Sequence, residues 1–256
     1  MTNELFAHPL LVESPSECRF YHALDLPISG PQEGRWDLRG RFDSYTGHVP
    51  FAGKTVLDVG TSSGFLTFEA EKRGASVISV DAESAAQFNN IPIRGSLYAD
   101  DYDAWLKQDN EMLSRTKRAY WLAHREFNSK ARVYYGSIYT LPNQLGQFDI
   151  VMVGQILVHL TDGIHALTSV AKHCKDTLII AEGMLQEDAP IAQFLAKAEN
   201  PQNNFSIWHY SVGFYRNLMA CLGFKLQSNT TEKYRCNVVG WDQDIAITTL
   251  VFKRES

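Results

Sequence analysis

Short apolar runs, each bounded by glycine or polar residues, recur through the middle of the chain. They lie at residues 55–59, 76–80, 132–135, 148–153 and 177–181. Each run is too short for a buried helix, and its nearly continuous apolar character is typical of a strand covered on both faces. Two later runs, at residues 224–227 and 247–252, predict further strands.

Segments with apolar residues at spacings of three and four separate these runs and predict helices. The predicted helices lie at residues 115–129, from Asp162 to Lys172, near 190–198 and in the stretch that ends at Leu222 and Gly223. Thr161 or Asp162 can cap the second of these helices, and Gly223 can end the last. Regular alternation of strands and helices predicts an α/β fold.

Residues 1–50 differ from the rest because proline and glycine interrupt them too often for long regular elements. Short helices and loops are expected there. A chain of 256 residues with 45% hydrophobic content can bury one large core. We therefore predict a single domain over residues 1–256, with an N-terminal lid segment (1–50) and a core (51–256) that carries insertions near 91–110 and 185–212.

The stretch from Lys54 to Ser84 predicts a strand, a glycine turn, a helix, a second strand and a terminal acid, as in nucleotide-binding βαβ units. Gly60 and Gly64 permit a sharp turn and the close approach of a ligand to the backbone, and the following helix offers free N–H groups. Asp81 ends the second strand. A carboxylate at that place can accept hydrogen bonds from both hydroxyls of a ribose.

This turn departs from the dinucleotide fingerprint G-x-G-x-x-G, because Ser62 stands where that pattern has glycine. The pattern Asp58-x-Gly60-x-x-x-Gly64 resembles the first motif of class I S-adenosylmethionine (SAM) methyltransferases. The resemblance implies a Rossmann-like seven-stranded sheet, mostly parallel with an antiparallel last strand, helices on both faces, and inserted helical lid segments. It also implies SAM as the cofactor, with Asp81 holding the ribose.

The same resemblance assigns further residues to the cofactor. They are Asp58, Gly60, Thr61, Ser62, Gly64 and Phe65 at the turn, Asp81 and Ala82 after the second strand, Ser137 and Ile138 after the third, and Gln155 after the fourth. The family places adenine beside the position of Ser137 and Ile138. Gln155 is expected near the amino-acid end of the cofactor.

The segment Gly34-Arg-Trp-Asp-Leu-Arg-Gly40 concentrates two arginines and an indole just before the core. One interpretation is a lid in which Arg39 holds the carboxylate of the cofactor and Trp36 lines the acceptor pocket. The other is a packed Trp36 with a salt-bridged Arg39. With the glycine turn, this segment is similar to a methyltransferase subgroup that includes the carboxy-SAM-using tRNA wobble-uridine enzymes, although the lid lysines of those enzymes are not evident here.

Aromatic residues in the two insertions are candidates for the acceptor pocket. They are Tyr98, Tyr102 and Trp105 in the first insertion, and Trp208 and Tyr210 in the second. The alternatives are a surface loop with a solvated acidic run for the first group and aromatic packing beneath a long loop for the second.

Two histidines are candidates for catalysis. His159 follows the fourth strand, whose end lies near the transferred methyl in the resembled family, and it is the stronger candidate for a general base; His209 is the second. A base is needed if the acceptor is a hydroxyl. For a neutral amine, alignment and desolvation can suffice.

Composition narrows the classes of partner. The net charge of −5 argues against a large nucleic-acid footprint, and no apolar stretch approaches the length of a membrane span. Four scattered cysteines and a start without a signal-peptide pattern favour a reduced, cytoplasmic protein. No metal is implied, and no oligomeric state is predicted.

These observations favour a SAM-dependent methyltransferase that moves a methyl group to an oxygen or nitrogen of a small-molecule acceptor, for example a secondary metabolite. Two alternatives stay open. One is a tRNA-modifying transferase that uses SAM or carboxy-SAM, for which a steep salt dependence is expected. The other is a SAM-binding protein without catalysis.

Overall fold

The strand ends of one large sheet set the positions of the predicted site residues. The computed structural model describes residues 5–88, 102–197, 206–238 and 241–255. The strands are β1 (Leu24–Leu26), β2 (Gly30–Gln32), β3 (Trp36–Asp37), β4 (Thr55–Val59), β5 (Ser76–Asp81), β6 (Arg132–Tyr135), β7 (Phe148–Gly154), β8 (Cys174–Glu182), β9 (Ala192–Phe194), β10 (Trp208–Tyr210), β11 (Phe224–Val238) and β12 (Trp241–Arg254). The α-helices are α1 (Phe42–Tyr45), α2 (Phe65–Lys72), α3 (Tyr102–Glu126), α4 (Gly163–Ala171) and α5 (Val212–Cys221).

Within the described residues, eight strands form one sheet in the order β3-β11-β12-β8-β7-β4-β5-β6. From β8 to β6 each strand is parallel to its neighbour. The sheet continues with antiparallel pairs from β8 through β12 and β11 to β3. Because β4, β5, β6 and β7 are parallel, the loops that follow them meet at one edge of the sheet.

Alternate residues of the parallel strands face opposite sides of the sheet, and each side has its own hydrophobic core. On one side, Val56 and Ile150 belong to a cluster with residues of α2, α3 and the N-terminal segment. On the other side, Leu57 and Val151 belong to a cluster with residues of α4 and α5. The predicted α/β fold with helices on both faces is therefore confirmed. None of the described helices is long and apolar enough to cross a membrane.

The sheet has eight strands instead of the predicted seven, because Trp36 and Asp37 pair with Cys236 and Arg235 at the outer edge of β11. The N-terminal segment thus contains short strands as well as helical turns and loops. The two late strands are also longer than their apolar runs. Polar residues extend the β11–β12 ladder as far as the pair Val238 and Trp241, where no apolar run marks a strand.

Two predicted helices differ from the structure. The helix predicted near 190–198 is wrong for residues 192–194, which form β9 and pair with β10. Tertiary pairing with the aromatic strand overrides the local helix propensity there. Helix α3 begins at Tyr102, well before the predicted start at 115. Trp105, Leu106, Met112 and Leu113 recur at helical spacing in its first turns, but polar residues fill most of the other positions, so the helical pattern is weaker there than after residue 115.

Candidate active site

The glycine turn after β4 is held against the end of β5. The backbone N–H groups of Gly60 and Thr61 both donate to the carbonyl of Val80, at 2.8 and 3.1 Å. Gly64 has a φ of 89° and is the N-cap residue of α2, and a Cβ there would lie 2.4 Å from the ring of Phe68. Glycine is therefore required at this position for both its backbone conformation and the space it leaves.

Asp81 lies beside this turn, at the carboxyl end of β5. Its Oδ2 accepts a hydrogen bond from the N–H of Ser62, and its Oδ1 accepts one from the N–H of Ala82, both at 2.7 Å. Burial raises the pKa of Asp81, and the two N–H groups oppose that effect. Because each carboxylate oxygen has a further lone pair, the group can still accept hydrogen bonds from a ligand.

Asp58 lies beneath the turn and is fully buried. Its Oδ2 accepts a hydrogen bond from the hydroxyl of Thr67 at 2.7 Å, and Thr67 contacts Ser79 at 2.7 Å and Thr61 at 3.0 Å. Ser79 in turn lies 3.0 Å from the hydroxyl of Tyr120. Burial raises the pKa of Asp58 to about 6. The contacts of Asp58 therefore support the glycine turn, and Thr61 also points into this buried network. A role of either residue at the cofactor stays a prediction.

The turn after β7 contacts the glycine turn. A Cβ on Gly60 would lie 2.5 Å from Cγ2 of Ile156, so the side chain of Ile156 rests on Gly60. Gln155 has a φ of 54°, and its N–H donates to the carbonyl of Ala181 at 2.8 Å. His159 ends the 3₁₀ helix Leu157–His159 and is half-buried. Backbone strain at Ser62 and Gln155 is of the kind that concentrates at functional sites.

The segment after β6 completes the same edge of the sheet. The N–H of Gly136 donates to the carbonyl of Asp81 at 2.9 Å, which places the start of this segment next to β5. Ser137 caps the 3₁₀ helix Ile138–Thr140 by accepting a hydrogen bond from the N–H of Tyr139 at 3.2 Å. The predicted cofactor residues after β4, β5, β6 and β7 are thus brought to neighbouring strand ends. Phe65 among them is buried in the core.

The N-terminal candidates have contacts of a different kind. Trp36 is buried in β3, and the guanidinium of Arg39 forms ion pairs with Asp37 and Asp25 at 2.6 and 2.9 Å. These contacts correspond to the packed and salt-bridged interpretation of this segment. A role of Arg39 at the cofactor stays a prediction.

The acceptor candidates fall in two places. Tyr98 lies outside the described residues, Tyr102 is described only as the first residue of α3, and Trp105 is half-buried on that helix. In the second insertion, Trp208 donates from Nε1 to the carbonyl of Thr161 at 3.1 Å.

The other two candidates of the second insertion lie on the same strand. Tyr210 is buried and stacks on Phe214 with ring centroids 4.6 Å apart. His209 is half-buried on β10, and burial lowers its pKa.

Three residues near the site carried no sequence signal. Lys117 on α3 donates from Nζ to the carbonyl of Glu83 at 2.8 Å; burial lowers its pKa, and the nearby Asp81 opposes this. His22 lies against the glycine turn. Glu182, at the end of β8, is fully buried, and its Oε1 accepts a hydrogen bond from Tyr215. None of the three belongs to a motif, so only the fold could have identified them.

Several solved structures of methyltransferases share this fold. A SAM-dependent methyltransferase from Mesorhizobium loti has a TM-score of 0.54 and 13% identity, with coverage of 85% of this chain and 100% of that chain. Magnesium protoporphyrin IX methyltransferase from Synechocystis PCC 6803, with bound SAM, has a TM-score of 0.53 and 12% identity, covering 85% and 78%. A proposed RNA methyltransferase from Pyrococcus horikoshii has a TM-score of 0.51 and 17% identity, covering 86% and 81%.

At these identities the likeness shows that the chain shares its fold with these methyltransferases. No protein-family model matches the chain, and no curated protein matches its sequence.

Proposed function

We propose that this chain, with its methyltransferase fold, is a SAM-dependent enzyme that methylates an oxygen or nitrogen of a small-molecule acceptor. The observation that carries the proposal is the position of Asp81. Its carboxylate lies at the end of β5, is fixed by two backbone N–H groups, and adjoins the glycine turn after β4. A fixed acid beside such a turn suits the two hydroxyls of a ribose.

The residues at this edge fit the parts of SAM. In the proposal, Asp81 accepts hydrogen bonds from the ribose, and the segment from Gly136 to Ile138 contacts adenine. The glycine turn and Gln155 hold the amino-acid end. When bound, SAM supplies a methyl group on a positively charged sulfur, which a nucleophile displaces as a neutral thioether.

The chain itself must then align the acceptor and manage its proton. Alignment of the acceptor atom with the C–S bond is the main requirement, because the leaving group is neutral. If the acceptor is a hydroxyl, we propose that the imidazole of His159 removes its proton, with His209 as the second candidate. The proposed acceptor-contacting residues are Trp36, Trp105, Trp208, Tyr98, Tyr102 and Tyr210.

Calorimetry on the whole chain tests the cofactor. We expect S-adenosylhomocysteine (SAH) to bind, NADH not to bind, and Asp81→Ala to weaken SAH about 100-fold, because two hydrogen bonds to a charged group are lost. Asp188→Asn is the matched control, since Asp188 is an exposed carboxylate paired with Arg216 on another part of the surface. Binding of NADH in place of SAH would defeat the proposal.

The acceptor class is tested by incubating cell extract with labelled SAM and identifying the labelled product by mass. A small labelled product supports the proposal. The RNA alternative is favoured by the Pyrococcus likeness and opposed by the net charge of −5. Label that ribonuclease releases, with a steep fall in activity as salt rises, would support that alternative.

A further inference from the structure

The glycine turn is covered from the N-terminal side by one short stretch of chain. The hydroxyl oxygen of Ser63, in the middle of the turn and fully buried, accepts hydrogen bonds from the N–H groups of Tyr21 and His22 at 3.2 and 3.1 Å. Two donors on one oxygen fix both the position and the direction of residues 21 and 22. The stretch is therefore attached to the turn itself.

The same stretch is fixed on its other side by β3. The N–H of Ala23 donates to the carbonyl of Trp36 at 2.8 Å, and the N–H of Trp36 donates to the carbonyl of Tyr21 at 3.0 Å. The backbones approach so closely that a Cβ on Gly34 would lie 2.4 Å from the carbonyl carbon of His22. Since β3 is itself bonded to β11, residues 21–23 are connected to the large sheet.

The imidazole of His22 is buried next to the turn with an unused nitrogen. The residue is 8% exposed, and its ring lies 5.8 Å from the ring of Phe65, the first residue of α2. Nδ1 has no hydrogen-bond partner among the described residues. Buried polar atoms are nearly always hydrogen-bonded, so an unused nitrogen here points to a ligand. Burial lowers the pKa of His22 to about 4, so the ring is neutral at pH 7 and does not repel a cationic ligand.

Strand order indicates which part of the ligand lies here. In the proposed function, β6 and β5 carry the adenine and ribose contacts, so the amino-acid end extends over β4 towards β7. The chain before this stretch bonds to β6 and α3, through Ala7 to Val133 and Arg19 to Arg115, and residues 21–23 then pair with β3. Because the N–H groups of Tyr21 and His22 bond to Ser63 after β4 and not to β5 or β6, His22 lies beside the part of the turn where the amino-acid end is expected.

We propose that Nδ1 of His22 hydrogen-bonds the amino-acid end of SAM and SAH. This inference rests on the proposed function and adds a cofactor-contacting residue that belongs to no motif in the chain. His22 then performs the role that the sequence assigned to Arg39, which is engaged by Asp25 and Asp37.

The proposed hydrogen bond of His22 is tested by calorimetry with two ligands. They are SAH and 5′-methylthioadenosine, which lacks the amino-acid end. His22→Phe keeps a ring but removes the nitrogen, so we expect SAH to bind about 10-fold more weakly and methylthioadenosine to change less than about 2-fold. His22→Asn can place a polar atom near Nδ1 and should recover most of the loss. His173→Phe is the control, because His173 is equally buried but bonds to Gly146 at the other end of β7.

Ser63→Ala is a second variant that leaves the imidazole intact. It removes the oxygen that fixes residues 21 and 22, and we expect it also to weaken SAH more than methylthioadenosine. Equal losses for both ligands, or no loss for SAH in His22→Phe, would overturn the inference. If the unaltered chain binds neither ligand, the proposed function itself fails, and this outcome is distinct from the other two.

Discussion

The glycine turn after β4 and the turn after β7 are built in a similar way. Each follows a strand of the parallel part of the sheet. Each also contains a non-glycine residue with a φ of 54°, which is Ser62 in the glycine turn and Gln155 in the turn after β7. Each also adjoins a fully buried carboxyl group, Asp58 in the first case and Glu182 in the second. Burial raises the pKa of Asp58 to about 6 and that of Glu182 to about 7.

The two regions differ in where their supports come from. Asp58 is bonded to Thr67, which lies in the next helix of the same βαβ unit. Glu182 is bonded to Tyr215 of α5 and faces the N–H groups of Leu157 and Val158, so its surroundings come from three separate parts of the chain. The first region can be recognised within a short stretch of sequence, whereas the second exists only once the chain has folded.

The largest expected effect separates the two regions by role. If the glycine turn after β4 binds the cofactor and the turn after β7 carries the base, His159→Ala should lower turnover at least about 100-fold while leaving SAH affinity unchanged. Turnover is measured with the identified acceptor and affinity by calorimetry. His165→Ala, an exposed histidine on the next helix, is the control. A near-normal rate would remove His159 from the mechanism.

A smaller effect tests the contact between the two regions. Gly60→Ala imposes a φ of 80° on a residue with a side chain and brings its Cβ to 2.5 Å from Ile156, so we expect a loss of about 2–3 kcal/mol in the free energy of unfolding. Gly53→Ala has the same backbone strain at a φ of 71°, with no heavy atom within 4 Å, and should lose only about 1 kcal/mol.

Urea denaturation measures both variants. Adding Ile156→Ala should remove the difference between them, because it removes the side chain that the new Cβ would meet. Equal losses of unfolding free energy for Gly60→Ala and Gly53→Ala in the otherwise unaltered chain would mean that the glycine turn and the turn after β7 do not depend on each other.

The smallest expected effect concerns Glu182, the buried carboxyl group beside the turn after β7. Because the folded pKa of Glu182 is raised to about 7 from an ordinary value of 4.5, the folded chain favours the protonated acid. That contribution to stability is complete below about pH 4.5 and is lost as pH rises through about 7.

Glu182→Gln keeps the neutral form, so its unfolding free energy relative to the unaltered chain should rise by about 1–2 kcal/mol between pH 6 and pH 8. Glu187→Gln, an exposed neighbour, should show no such pH-dependent gain. The raised pKa of Asp58 affects both chains equally and cancels in the difference. A flat difference across this pH range would show that Glu182 does not titrate there.

Local patterns were sufficient for the central part of the fold. The strands at 55–59 and 132–135 occur as β4 and β6, because strands buried on both faces must be continuously apolar. Pairing between distant segments could not be predicted in this way. Strand β9 requires β10 as its partner, and β3 requires β11.

The candidate site divides along the same line. The glycine turn and Asp81 lie within one βαβ unit, so their proximity follows from the order of elements. His22, Lys117 and Glu182 lie beside the site only because β3, α3 and β8 are folded against it, and each looks ordinary in the sequence. Arg39 differs from these three residues, because the sequence pointed to it as a cofactor-binding residue. In the structure its partners are Asp25 and Asp37 of its own segment.

The pairing of Trp36 with Cys236 has a consequence for the order of events during synthesis. A chain leaves the ribosome from its N-terminus, so the glycine turn is available for folding long before β11 has been made. The bonds of Trp36 to residues 21 and 23 can form early, but β3 joins the large sheet only when one of the last strands has been made. We therefore expect a nascent chain that ends before β11 to bind SAH more weakly than the whole chain, and full retention of the cofactor to arise late in biosynthesis.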